Sequence, residues 1–267
     1  MKTYREKEVD VSESWLGTLF ALELDMCLIG GWAVYETVTG NYEDDIGHSY
    51  IGSKDIDVGF HLDEKWSFEE LEESDYRKFF RYLEEKQFEW VGFRFFKGYD
   101  YDTGDELTAK EVAEKPPFEV IKLYIDPIVD HIHPELKEKL MINPIDEKLL
   151  SNVFEADAYN TINLRAQTKI EVKIPKPEVL LSMKFNSVDK RTRDHKRIKD
   201  ISDIFALIWY SDYELKEMKH KLSALKDISK VKQTIGKFTN EEIRKAADAI
   251  DFDDENMKQI FTRFANI

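Results

Sequence analysis

Apolar residues recur along this chain with two periods. Trp15, Leu16, Leu19, Phe20 and Leu22 fall on one broad helical face, which Ser12 or Ser14 can cap. Met26-Cys27-Leu28-Ile29 is a short apolar run that stops at Gly30-Gly31, as a buried strand does at a tight turn, and Trp32 to Val38 then reads as helix. Asn41 to Tyr50 is polar and contains a glycine, which predicts a loop or a small inserted hairpin. In Asp55-Ile56-Asp57-Val58 the period drops to two: on a strand, both carboxylates leave one face while Ile56 and Val58 enter a core. Glu64 to Gln87 returns to helical spacing through Phe68, Leu71, Tyr76, Phe79, Phe80 and Leu83.

Trp90 to Phe96 alternates as a strand, and Gly98 to Glu106 turns the chain back. Phe118 to Asp126 is a further strand, expected to end at Asp126 because Pro127 cannot donate to a ladder. Tyr159 to Ile174 supplies one or two closing strands, ended by Pro175-Lys176-Pro177. From Glu178 the pattern is helical, with Val179, Leu180 and Met183 inward, and Asp212 to Ile267 holds three or four amphipathic helices with caps at Asn240 and near Asp253. The prediction is an α+β protein: a mixed-sheet domain over residues 1–174, followed by an α-helical domain over 175–267.

Composition narrows the classes. With 42% hydrophobic and 13% aromatic residues, the chain is globular rather than disordered. A formal charge of −15 argues against a wholesale nucleic-acid coat, yet Lys169 to Lys199 carries ten Lys or Arg against four Asp or Glu. Such a run is either a solvated helix face or a local surface for a phosphate backbone. One cysteine, Cys27, excludes an internal disulfide. The charged start of the chain and the lack of a long apolar stretch predict a soluble cytoplasmic protein with no membrane partner.

Several residues carry candidate chemistry. Two like charges as close as Asp55 and Asp57 stay ionised when divalent cations or full solvation compensate them. Asp126 is placed to face that pair, and Asp130 is its rival. A strand that turns into a helix at Gly30-Gly31 aims free N–H groups outward, which suits phosphate, although two glycines also simply make a close turn. His48, His61, His131 and His133 read as surface or core histidines, since no thiol or third histidine accompanies them. Asp100, Asp102, Gly104 and Glu111 read as a solvated turn, the glycine being misplaced for a calcium loop.

The order Gly-Gly at a strand-to-helix turn, Asp-Ile-Asp on a strand and a third acid on a later strand resembles the nucleotidyltransferase superfamily of DNA polymerase β-like folds. Pro177-Glu-Val-Leu-Leu-Ser-Met-Lys184, followed by Lys199-Asp200-Ile-Ser-Asp203-Ile-Phe-Ala-Leu207, is similar to the lysine helix and the K/R-D-x-x-D-[LI] helix of AbiEii/AbiGii-type and MenT-type toxin nucleotidyltransferases. The resemblance spans roughly residues 26–210. It implies Mg2+-dependent transfer of a nucleoside monophosphate from an NTP to an acceptor such as an RNA 3′ end, that of tRNA included, with a toxin-like role and an antitoxin protein as partner. Asp55 and Asp57 would hold two Mg2+ ions, Asp126 would complete the one facing the nucleophile, and Lys184 would neutralise the β- or γ-phosphate. Asp200 would lie near that lysine, or orient it as an ion-paired acid.

Gly30, Gly31 and Ser53 would donate to phosphate oxygens. The gap from Gly31 to Asp55 is longer than is usual in the superfamily, so Gly52-Ser53 competes with Gly30-Gly31 for this role, and MenT-type toxins carry a serine two residues before the metal acid. The same chemistry serves enzymes that modify small molecules such as aminoglycosides. A protein that kept the fold as an inert nucleotide-binding scaffold is the reading from a different class.

Overall fold

The computed structural model describes residues 3–266. Along the chain run α1 (Tyr4–Phe20), β1 (Cys27–Ile29), α2 (Gly30–Ile46), β2 (Asp55–Phe60), α3 (Phe68–Glu73), α4 (Asp75–Glu85), β3 (Glu89–Val91), β4 (Arg94–Asp100) and β5 (Glu106–Leu107). Then come α5 (Ala109–Glu114), a 3-10 turn (Pro117–Glu119), β6 (Val120–Val129), α6 (Pro134–Glu138), β7 (Ile145–Asp146), α7 (Leu150–Phe154), β8 (Tyr159–Leu164) and β9 (Gln167–Pro175). The rest is helical: α8 (Pro177–Val188), α9 (Asp194–Tyr210), α10 (Leu215–Ser223), α11 (Ile228–Gly236), α12 (Asn240–Asp248) and α13 (Asp254–Asn266). Among the described residues no helix is long and apolar enough to cross a membrane.

The chain divides into two compact units, Met1–Trp32 with Gly52–Ile174, and Ala33–Ile51 with Pro175–Ile267. The chain passes from one unit to the other after Trp32, after Ile51 and after Ile174. The fold is α+β, with an open mixed sheet followed by helices.

In the first unit the sheet order is β3-β4-β6-β2-β1-β9-β8, with β5 beside β4 and β7 beside β6. β2 and β6 are parallel, while β1 and β4 run antiparallel to them on either side. The alternation read in Asp55–Val58 is realised: Ile56 and Val58 are buried, and Asp55 and Asp57 are half-buried on the other face. Leu16 and Leu19 of α1, Phe79 of α4 and Phe95 of β4 complete that core. Cys27 is buried in β1, and burial pushes its thiol up.

Two local expectations are corrected. β6 does not end at Asp126 but continues through Pro127 to Val129. Pairing with β4 stops at Ile125 and pairing with β7 begins at Ile128, so Pro127 falls in the gap between two neighbours on one edge and needs no donor there. Nor is Asn41 to Tyr50 a loop or hairpin, because α2 runs on to Ile46. Val34, Val38 and Tyr42, one turn apart, are all buried and hold this helix together despite its polar second half.

The second unit is built around α9, on which α8, α10, α12 and α13 pack. Its residues from Asp200 to Ile208 are buried all round, as befits a central helix. Within the same unit, Tyr42 donates to the carbonyl of Ile250 at 2.6 Å and stacks edge-on with Tyr50 and Tyr210. The cap of α12 is Thr239, one residue before the expected Asn240.

Candidate active site

Three acids meet on one sheet face of the first unit. Parallel pairing puts Asp57 directly opposite Asp126, and Asp55 two residues back opposite Tyr124. Asp126 is 5% exposed; its Oδ2 receives the Arg94 guanidinium at 2.5 Å, while its Oδ1 is buried without a hydrogen-bond partner. Asp130 is not part of this group: it lies beyond the end of β6, where its carboxylate accepts the N–H groups of Leu62 and His131.

Burial, followed by the charge of Asp57, pushes the Asp126 carboxyl up to about 7, against the pull of Arg94. An orphaned carboxylate oxygen beside a second carboxylate, in an all-oxygen donor set, fits a hard divalent cation such as Mg2+. Proton and cation then compete for Asp126. Cation affinity measured by calorimetry is expected to rise about tenfold per pH unit up to about pH 7 and to level off above, with the slope removed in Asp126→Asn. Without a cation the sign reverses. The folded chain keeps this proton to higher pH than the unfolded one, so the carboxyl's contribution to stability is complete below about pH 4 and declines as pH rises toward 7.

The glycine turn and the serine turn, which compete in the sequence, lie together. Gly30 has φ +67°, and a Cβ built there would stand 1.8 Å from Asp57 Oδ2; a Cβ on Gly31 would stand 2.9 Å from the Cβ and Oγ of Ser53. Ser53 is anchored in turn, its carbonyl receiving the Ser12 hydroxyl, which also accepts the Trp32 indole N–H at 3.2 Å. Gly30-Gly31, opening α2, and Ser53 therefore share one wall beside the acids. Gly30→Ala is expected to cost about 2 kcal/mol from backbone strain alone, read from denaturant unfolding, and to displace Asp57. Gly31→Ala should be milder, since Gly31 does not have a positive φ, but the Ser53 Cβ cannot rotate away and must shift.

Lys184 and Asp200 belong to the second unit. Lys184 Nζ lies 3.0 Å from Asp200 Oδ1 and 2.7 Å from Asp203 Oδ2. Asp200 also binds Arg191 at 2.6 Å and the Ser187 hydroxyl at 3.0 Å; Asp203 binds Lys199 at 2.5 Å and accepts from the Tyr50 hydroxyl at 2.9 Å. Burial works to lower the Lys184 ammonium pKa, but Asp203 and Asp200 outweigh it and hold the group firmly protonated. Burial likewise opposes the ionised form of Asp200, and Lys184 and Arg191 overcome it.

Arg94, Asp203, Lys199 and Tyr50 were not singled out as site residues by sequence reasoning. The signals that could have found two of them are local: Arg94 is the one charge in Phe93-Arg94-Phe95-Phe96, and Asp203 is the i+4 partner of Lys199. Much of the basic run Lys169–Lys199 is neutralised locally: Lys173 pairs with Asp25, Arg197 with Glu242, and Lys184, Arg191 and Lys199 with the two acids above. Asp100 closes a turn by accepting from Asp102 and Thr103 N–H groups and pairing with Lys115.

No protein-family profile matches this chain, and no curated protein does. Among solved structures it is similar to an antigenic nucleotidyltransferase-like protein from Paracoccidioides brasiliensis, at 17% identity and a TM-score of 0.42, over 82% of this chain and 87% of that one.

Proposed function

We propose that the protein is a Mg2+-dependent nucleotidyltransferase, moving a nucleoside monophosphate from an NTP to an acceptor hydroxyl with release of pyrophosphate. The observation that carries this is the cross-strand register of Asp57 with Asp126, next to Asp55 and against the Gly30 turn. Asp55, Asp57 and Asp126 would hold the cations. When bound, Mg2+ supplies charge for the phosphates and lowers the pKa of the attacking hydroxyl.

The chain's own residues do the rest. Arg94 holds Asp126 through one oxygen and leaves the other without a hydrogen-bond partner, so that oxygen is the candidate to take the acceptor's proton. Ser53 and the N–H groups of Gly30 and Gly31 are the candidate phosphate donors. Within the second unit, the ion pair of Lys184 with Asp200 supports the reading of that acid as the lysine's partner.

A nucleic-acid end is the acceptor favoured by the side chains sharing the acid face. Phe96 and Tyr124 lie beside the acids with ring centroids 5.6 Å apart, Arg94 stands 4.7 Å over Tyr124, and Lys122 stands 5.9 Å from Phe96. Half-buried aromatics with cations offer stacking for bases. Incubation with labelled NTPs, Mg2+ and total RNA or cellular protein should label an RNA; label on protein or on neither would reject the nucleic-acid acceptor. A toxin role with an antitoxin partner belongs to the same proposal. Expression of the active protein should then arrest growth, and harmless expression would remove that role while leaving the chemistry.

A further inference from the structure

His61 directly follows β2 and Asp130 directly follows β6, so both lie just past the carboxyl ends of adjacent parallel strands. They are four residues beyond Asp57 and Asp126, about 13 Å along an extended chain. Asp130 is fully buried. Its Oδ1 accepts the N–H groups of Leu62 at 2.9 Å and His131 at 2.8 Å, and its Oδ2 lies 2.5 Å from His61 Nδ1 and 3.4 Å from His131 Nδ1.

A carboxylate anchored on backbone N–H groups and paired with an imidazole keeps two donor atoms together, and a cation that displaces the proton between them can be held by both. The ring is also walled in, by Trp66 edge-on at 5.9 Å and Phe154 at 6.1 Å. Trp66 is itself held where its carbonyl meets His133 Nε2 at 3.0 Å. Glu155, the exposed C-cap of α7, completes the group: ligand atoms of His61, Asp130 and Glu155 all lie within 4.8 Å of one another.

We propose that His61, Asp130 and Glu155 form a second metal site, separate from the three-acid group and selective for a divalent transition metal of the zinc class. Imidazole with carboxylate suits zinc, cobalt or nickel, whereas Mg2+ prefers the all-oxygen set of Asp55, Asp57 and Asp126. Asp130 is the preformed part, and Glu155 closes on the ion from the rim. The ion would tie the end of α7 to the ends of β2 and β6.

Titration with Co2+, followed by its visible absorption and by equilibrium dialysis, tests this without any assay of activity. The expected result is one equivalent bound by the wild type and by Asp57→Asn alike, with affinity reduced about tenfold or more in Glu155→Gln and in His61→Ala. Glu155 is exposed, so Glu155→Gln reports on the site even if His61→Ala fails to fold. Absence of Co2+ binding by the wild type, affinity unchanged in Glu155→Gln, or binding lost in Asp57→Asn would each overturn the proposal.

Discussion

Asp57→Asn is expected to lower nucleotidyl transfer by on the order of a thousandfold while leaving the fold at least as stable as the wild type. The substitution keeps the shape that fits against Gly30 and removes the charge that, with Asp126 opposite, would bind the cation. Stabilisation by a metal at developing charge is worth several kcal/mol, and each 1.4 kcal/mol is about tenfold in rate. Removing one of two facing like charges relieves repulsion, so unfolding without metal should shift upward or not at all. Loss of activity together with loss of stability would instead mark Asp57 as a structural acid. Pyrophosphate release and thermal unfolding, measured on the same preparations, separate the two.

The second large effect is on stability. Lys184→Met, an unbranched side chain one heavy atom shorter, removes the cation that Asp200 and Asp203 share, in a cluster where both carboxylates are buried. Breaking such a pair costs roughly 3–5 kcal/mol when the remaining charge is left alone. Here Asp200 keeps Arg191 and Ser187, and Asp203 keeps Lys199 and Tyr50, so the lower end applies, about 3 kcal/mol. Urea unfolding should show it, and Asp203→Asn added to Lys184→Met should recover part of the loss. A cost below about 1 kcal/mol would place the cluster with exposed ion pairs.

How much of this was legible in the sequence depends on how local each feature is. Alternation in Asp55–Val58 was enough to put both carboxylates on one face, because strand geometry is a nearest-neighbour matter. The switch to helices after Pro175 was equally plain. Pro127 misled about the length of β6, since whether a proline interrupts a strand depends on which neighbour it faces, and that is set by β4 and β7. The second half of α2 was hidden by Gly40, Asn41 and the acids after them, although Val34, Val38 and Tyr42 carried the helical spacing.

Arg94 was illegible as the partner of Asp126, because their meeting follows from cross-strand register over 32 residues. Tyr50 was more remote still, 153 residues from Asp203. The competition between Gly30-Gly31 and Ser53 dissolved for the same reason: segments distant in sequence form one wall.

The most direct test of the central claim is the mass of what the protein modifies. After incubation with Mg2+, total tRNA and each NTP in turn, mass spectrometry of RNA and protein should find one species heavier by a nucleoside monophosphate, with equimolar pyrophosphate, for the wild type and not for Asp57→Asn. No mass addition with any NTP, or the same addition by both proteins, would contradict it.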